Sequence, residues 1–315
     1  LGSQTPGKLT ADLIGISVAL AEGLTTVGTD DIDITLASTS STTATKLLAI
    51  ASKTSAEVNA NEVGNVNDSA ANIDDLITAT ADATSTDIDL DNNFTVTVND
   101  TLTGLGNIAK INTLASQSPG VVTAPIGGVT ASQAAQLTTN GSVDAISVTL
   151  TTAVAEAADL ITISSKTTQT LIAENPTSIT GTAANLKTVK DDTTIDRIDS
   201  GDSAPDHMVT IDDMQEGSTG VTAINHVLGM TAGVVHGSLS NVKADEAVSL
   251  AETGNAIKII LDSDGGTTTA ADLISLNSKS TALVDADNVT GISGTTTNLT
   301  TVTDLTTSFQ DNEIK

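Results

Sequence analysis

The stretch AADLITISSKTTQTLIAENPTSITGTAANL, residues 157–186, decides the reading of the fold. It returns earlier in the chain, at 44–73, as ATKLLAIASKTSAEVNANEVGNVNDSAANI, and later, at 270–299, as AADLISLNSKSTALVDADNVTGISGTTTNL. Lys53, Lys166 and Lys279 give the offset, which is 113 at both steps (166 − 53 and 279 − 166). Leu160, Ile163, Ala173 and Asn185 stand against Leu47, Ile50, Ala60 and Asn72. In the third stretch the same places hold Leu273, Leu276, Ala286 and Asn298. A constant offset kept without a gap over such a length is not a chance alignment. Self-similarity at a fixed period is the signature of a repeat architecture.

Working outward, the register persists. FTVTVND (94–100) aligns at the same offset with HMVTIDD (207–213), and Pro6-Gly7 with Pro119-Gly120. The chain of 315 residues therefore reads as a tail (1–5), a first copy (6–118), a second copy (119–231) and a truncated third copy (232–315). Each copy is itself duplicated more weakly, in a shorter and a longer half-unit. Leu160-x-x-Ile163 and its sequel resemble Val221-x-x-Ile224 and its sequel.

Within a half-unit the periodicity changes in a fixed order. Asp144–Thr152 alternates apolar and polar residues and is rich in β-branched types, which predicts a strand. Its counterparts are Asp31–Leu36, Phe94–Val98, Met208–Ile211 and Ala256–Leu261. Ala155–Ser164 then places Ala157, Leu160 and Ile163 at helical spacing. A second extended piece follows, broken by Pro176 and Gly181. A short helix over Thr182–Val189 begins on a residue suited to N-capping, with copies starting at Ser69 and Thr295. Short helices between strands favour parallel strands and right-handed crossovers. The expected fold is an α/β repeat, a solenoid-like stack of strand-helix-strand-helix half-units with parallel strands. Tandem β-rich domains, one per copy, are the alternative.

Composition narrows the function. Acidic residues outnumber basic ones 39 to 12, for a net charge of -27, so no nucleic acid partner is expected, because phosphate binding needs clustered Lys and Arg. No Cys means no disulfide and no thiolate chemistry, and an aromatic content of 1% removes stacking platforms for bases. No run approaches the roughly 20 apolar residues of a membrane span. Hydrophobic residues nevertheless make up 38%, nearly all Ala, Val, Ile and Leu, which supports a thin core of slim side chains.

Few residues invite chemistry. Asp87, Asp89 and Asp91 alternate, so an extended chain turns all three carboxylates to one side, and hard oxygens in that pattern make weak calcium sites conceivable. Asp262-Ser-Asp264-Gly265 opens like a calcium loop, but position twelve of that loop would be Leu273 rather than Glu. His207, His226 and His236 lie in one stretch, but Phe94, Thr113 and Thr123 hold their places one copy earlier, which reads as local variation rather than a metal site. The recurrent Lys53, Lys166 and Lys279 are expected to pair with acids or to sit at helix ends, and the Asn72, Asn185 and Asn298 series to cap turns. No phosphate-binding loop, nucleophile elbow or metalloprotease motif occurs, so no catalytic residue and no cofactor is expected beyond calcium.

The quoted blocks resemble Thr/Ala/Asp-rich tandem repeats of very large secreted or surface proteins of bacteria, cyanobacteria among them. The resemblance implies extracellular stalks, surface layers or adhesive fibres, and it transfers no functional residue. The expectation is a structural protein, a subunit or segment of an extracellular filament, sheath or surface layer, self-associating into a homopolymer. An adhesin presenting a long repeat face to a glycan or protein is the alternative.

Overall fold

Aliphatic residues at alternate positions give way, again and again, to aliphatic residues at helical spacing, and each run takes the element its spacing dictates. The structure is a computed structural model and describes residues 7–81, 88–90, 94–197, 207–251, 253–262 and 268–304. The first copy opens with β1 (Thr10–Ile16), α1 (Val18–Glu22), β2 (Asp31–Leu36), β3 (Thr42–Thr43), α2 (Ala44–Ala51) and β4 (Val58–Asn59). It continues with β5 (Asn65–Asp68), α3 (Ala70–Ala81), β6 (Ile88–Asp89), β7 (Thr95–Val98), β8 (Leu102–Thr103) and α4 (Leu105–Gln117).

The second copy repeats that order: β9 (Val122–Val129), α5 (Ala131–Ala134), β10 (Ala145–Leu150), β11 (Val154–Glu156), α6 (Ala157–Ser164) and β12 (Leu171–Ile172). Then come β13 (Ser178–Gly181), α7 (Ala183–Asp191), β14 (Ile195–Asp196), β15 (Met208–Ile211), β16 (Gln215–Glu216) and α8 (Gly217–Leu228). The third copy repeats the opening: β17 (Val235–Val242), α9 (Ala244–Ala247), β18 (Ala256–Leu261) and β19 (Thr268–Thr269). It proceeds to α10 (Ala270–Lys279), β20 (Val284–Asp285), β21 (Ile292–Ser293) and α11 (Thr296–Asp304).

Two compact units emerge: Leu1–Val129 with Gln133–Thr149 and Ile163–Leu171, and Thr130–Ser132 with Leu150–Thr162 and Ile172–Lys315. Their bounds cut through the second copy rather than between copies. In the first unit one sheet runs β1-β2-β4-β6, and another runs β3-β5-β7-β9-β10 with β8 beside β9. In the second, β11-β13-β15-β17-β18-β20 form one sheet with β16 beside β17, and β19 pairs β21. The pairs are parallel, for instance β2 with β4, β5 with β7, β13 with β15 and β18 with β20. A parallel pair needs a crossover of a dozen residues or more. Leu13, Ile34, Val58 and Ile88 stand in register on successive strands, with one helix in each crossover between them.

The core is a set of aliphatic columns running from strand to strand. Val66, Val96 and Val122 stack in register and are fully buried, as are Ile179, Val209 and Val235. The helices close the other side: Leu47 and Ile50 of α2, Leu160 and Ile163 of α6, and Leu273 and Leu276 of α10 are all fully buried. Successive helices α1 to α4 lie side by side, and so do α7 to α11. This is the α/β stack of parallel strands that the sequence order implies.

What joins one strand to the next is polar. The buried Thr54 Oγ1 accepts from Ile32 N–H at 2.9 Å and from Ala56 N–H at 2.9 Å, and donates to Ile32 C=O at 2.8 Å. Thr167 does the same for Ile146 and Gln169, and Ser280 for Ile257 and Ala282. Each hydroxyl stands in for a missing strand residue and satisfies backbone groups that burial would otherwise orphan. At the start of the same strands, Asp30, Asp144 and Asn255 accept from Leu9, Val122 and Val235 N–H at 2.9, 2.9 and 2.8 Å.

These latches reveal a slip inside the repeat period. Ile32, Ile146 and Ile257 fill the same place, yet their numbers differ by 114 and then 111, whereas Thr54, Thr167 and Ser280 keep to 113. What the loop before the strand gains or loses is returned in the loop after it. A residue type also recurs in the first loop: Gly28, Gly141 and Gly254. A Cβ on Gly141 would lie 1.7 Å from the Ser165 carbonyl oxygen, so no side chain fits there.

Thr167→Val removes the latch but keeps the shape, stranding the Ile146 and Gln169 N–H groups at a cost of about 3 kcal/mol. Thr167→Ser, which copies Ser280, should stay within about 1 kcal/mol of the parent. Urea or thermal unfolding of the two variants separates these outcomes, and equal losses would refute the latch.

Candidate functional site

Of the three alternating carboxylates, Asp89 sits on β6 and accepts from Asn61 Nδ2 at 2.7 Å, while Asp87 and Asp91 lie outside the described residues. Asp262 donates its N–H to Val242 C=O at 2.9 Å and closes the end of a strand, and Asp264 and Gly265 also lie outside the described residues. Among the described residues no three His, Asp or Glu side chains are grouped to hold a metal ion.

Many carboxylates are engaged by backbone instead. Asp100 Oδ1 accepts from Ala70 N–H at the start of α3, and Asp213 Oδ1 from Ala183 N–H at the start of α7. A carboxylate suits a helix start because it complements both the free N–H groups and the macrodipole. Asp68 serves α2: it accepts from Thr45 N–H at 2.9 Å, Thr45 Oγ1 at 2.6 Å, Asn72 Nδ2 at 2.8 Å and Ser69 N–H at 2.8 Å. Partial burial pushes this carboxyl up, but the four hydrogen bonds outweigh it and hold it at about 2. Hydrogen bonds from Leu9 and Val27 N–H likewise hold Asp30 below its ordinary value.

The histidines occupy three different settings. His207 is buried just before β15. His236 stands on β17 in register with Thr210 and Ala256. His226 Nε2 lies 3.1 Å from Asp191 Oδ1, and Lys187 also bonds that carboxylate. The Lys187 hydrogen bond holds Asp191 below its ordinary value, with the charges of Lys187 and His226 assisting against burial. Lys190 Nζ donates to His226 C=O at 2.8 Å, and Arg197 reaches Met230 C=O at 3.2 Å. The group ties α7 to α8.

A second acidic group was not apparent from the sequence. Burial, then the charges of Asp212 and Asp159, push the Glu156 carboxyl up. Thr180 Oγ1 donates to Asp212 Oδ1 at 2.7 Å. The recurrent lysines lie at helix ends, Lys279 closing α10 and Lys53 and Lys166 just beyond α2 and α6, and Lys279 Nζ donates to Leu250 C=O at 2.7 Å rather than to a carboxylate. At Lys53 and Lys166 the backbone carbonyl matters, accepting from Thr26 and Thr139 hydroxyls. The asparagine series does lie at caps, but through its backbone: Asn72, Asn185 and Asn298 N–H donate to Ser69, Thr182 and Thr295 hydroxyls.

The surface that departs most from its repeats is β1. Leu9, Ala11, Leu13 and Ile16 are half-buried, and Ile14 beside them is 79% exposed. Their counterparts Val122, Ala124, Ile126 and Val129 are at most 1% exposed, and Val235, Leu239 and Val242 are wholly buried. In the repeats β7 and β8 cover β9, and β15 and β16 cover β17. Among the described residues β1 pairs with β2 alone and stands at the edge of its sheet. No helix among the described residues is long and apolar enough to cross a membrane. No family model, curated protein or solved structure matches the chain.

The low position of Asp68 has a sign. Its carboxylate favours the folded state above the ordinary value of 3.8, and that contribution disappears as pH falls toward 2. Asp68→Asn should therefore be less stable than the parent at pH 7, with the gap closing between pH 3.8 and 2. Melting both proteins across that range measures it, and a gap independent of pH would refute the assignment.

Proposed function

We propose that the chain is a structural repeat protein, a subunit or segment of an extracellular filament, sheath or surface layer, and that it self-associates. The observation that carries this reading is the stack, in which the strand that opens a copy is sealed by strands of the copy before it: β7 and β8 seal β9, and β15 and β16 seal β17. Among the described residues β1 offers an edge of the same kind. A parallel edge with half-buried aliphatic residues is a template for pairing with another chain. Pairing of one surface with a different surface of the next molecule generates open polymers rather than closed rings when the rotation does not close. The repeat design, with its polar residues distributed over many latches and caps, also fits a scaffold better than an enzyme.

A surface or extracellular setting fits the cysteine-free, acidic composition, and weak calcium binding through the alternating Asp87, Asp89 and Asp91 of the sequence is part of the proposal. The adhesin reading draws on a different observation, a groove in the first copy, described below.

Electron microscopy and sedimentation of the purified chain test the assembly. Ordered polymers are expected, growing with protein concentration. Leu13→Asp, which places a charge on the half-buried edge, should abolish them while leaving the circular dichroism spectrum intact. Monodisperse monomers across protein, salt and calcium conditions would overturn the proposal.

A further inference from the structure

A groove of about 470 Å³ opens in the first unit between the start of α1, the loop after β2 and the start of α2. Its size lies within the ~300–1,000 Å³ of small-ligand sites. Ser38, Ser41, Thr42, Lys46 and Asn67 give it a polar wall, and Val18 and Ala37 an apolar one. Asn67 Nδ2 donates to Ser41 Oγ at 2.7 Å, and Ser41 Oγ donates to Asn65 Oδ1 at 3.2 Å, so this wall is held in place by its own ladder. Thr42 is buried, only 7% exposed, and its Oγ1 has no hydrogen-bond partner among the described residues. Lys46 Nζ stands 3.7 Å from Glu22 Oε2, too far for a hydrogen bond.

The repeat supplies an internal control. Where the first copy has Ser41 and Thr42, the second has Val154 and Ala155, and the third keeps hydroxyls, Thr267 and Thr268. Where it has Lys46, the second and third have Asp159 and Asp272, and where it has Asn67 they have Thr180 and Ser293. The polar wall is therefore lost in the second copy and largely kept in the third, and Lys46 is the residue that sets the first copy apart from both. The Thr42 hydroxyl is not needed to build the stack, because Ala155 is buried in the same place. An orphaned buried hydroxyl is a cost in the free protein, and a ligand group that pairs with it removes that cost.

We propose that this groove binds a neutral saccharide. Sugar hydroxyls both donate and accept, which matches a wall of hydroxyls, an amide and an ammonium. The apolar wall suits the C–H faces of a sugar ring. A chain of net charge -27, with Glu22 beside Lys46, disfavours an anionic ligand. Without aromatic side chains in the groove the affinity of a single site is weak, and a polymer carrying many copies multiplies it. The inference does not depend on self-association.

The test is titration of the intact chain with maltotriose, cellotriose and, as the acidic comparison, trigalacturonate, followed by amide chemical shifts and calorimetry. A neutral trisaccharide should shift groove amides with a millimolar dissociation constant. Thr42→Val, which keeps the shape, should weaken binding about fivefold, the loss of one hydrogen bond, without lowering the melting temperature. Lys46→Asp, the residue of the other copies, should abolish binding. The proposal is overturned if no neutral trisaccharide shifts those amides at tens of millimolar. It is equally overturned if trigalacturonate binds more tightly, or if both variants bind as the parent does.

Discussion

The structure depends on one arrangement, a buried hydroxyl placed where a strand turns out of the sheet. A parallel stack keeps its strands short and must bury the backbone at every turn. Those N–H and C=O groups have no ladder partner there, and unpaired they would each cost as much as a lost hydrogen bond. Thr54, Thr167 and Ser280 solve the problem in the same way in all three copies, accepting twice and donating once. Asp30, Asp144 and Asn255 complete the junction by holding the start of the neighbouring strand. Asn255 does so without charge, so what the position requires is an acceptor oxygen at a fixed place. The abundance of Thr, Ser, Asp and Asn in this chain follows in good part from that requirement.

The same arrangement explains why the core is aliphatic and thin. Columns such as Ile34, Val58 and Ile88 repeat with each strand, and a bulky ring at one level would force its neighbours apart. Helices made mostly of Thr become workable because their hydroxyls return to the helix itself. In α11, Thr300, Thr301 and Thr303 donate to the carbonyls of Thr296, Thr297 and Leu299, each one turn back. This bonding is slightly unfavourable to a helix in isolation. Here the buried Val302 and the packing of α10 against α11 decide the outcome.

Much of this was legible in the sequence, for reasons that can be named. Alternating β-branched runs occupy β2, β15 and β18 with the predicted ends, because periodicity two is a direct image of the pleat. The cap at Thr182 was legible because a hydroxyl before an apolar run has one common use. What escaped were side chains acting on distant backbone. Asn112 clamps the Gln136 carbonyl and the Thr138 N–H, and Asn225, its counterpart one copy later, clamps the Ser249 carbonyl and the Ala251 N–H. The recurring glycines of the first loop escaped as well, although their spacing was there to be found. The compensating slip was invisible, because it cancels within each copy. The groove was beyond reach in a different way: its residues come from separate segments that only the stack brings together.

Departures from the repeat are therefore more informative than the repeat. Positions shared by all copies are occupied with latches, caps and columns, and those duties account for their residue types. His226 differs from Thr113 and finds its partners on α7, which makes it a tie between neighbouring helices. Lys46 differs from Asp159 and Asp272 and, among the described residues, makes only a long ion pair with Glu22, which leaves its donors available to a ligand. β1 differs from β9 and β17 in covering, among the described residues, rather than in sequence type. In a chain built by copying, a side chain that breaks the pattern and satisfies no neighbour is the place where selection for something other than folding becomes visible.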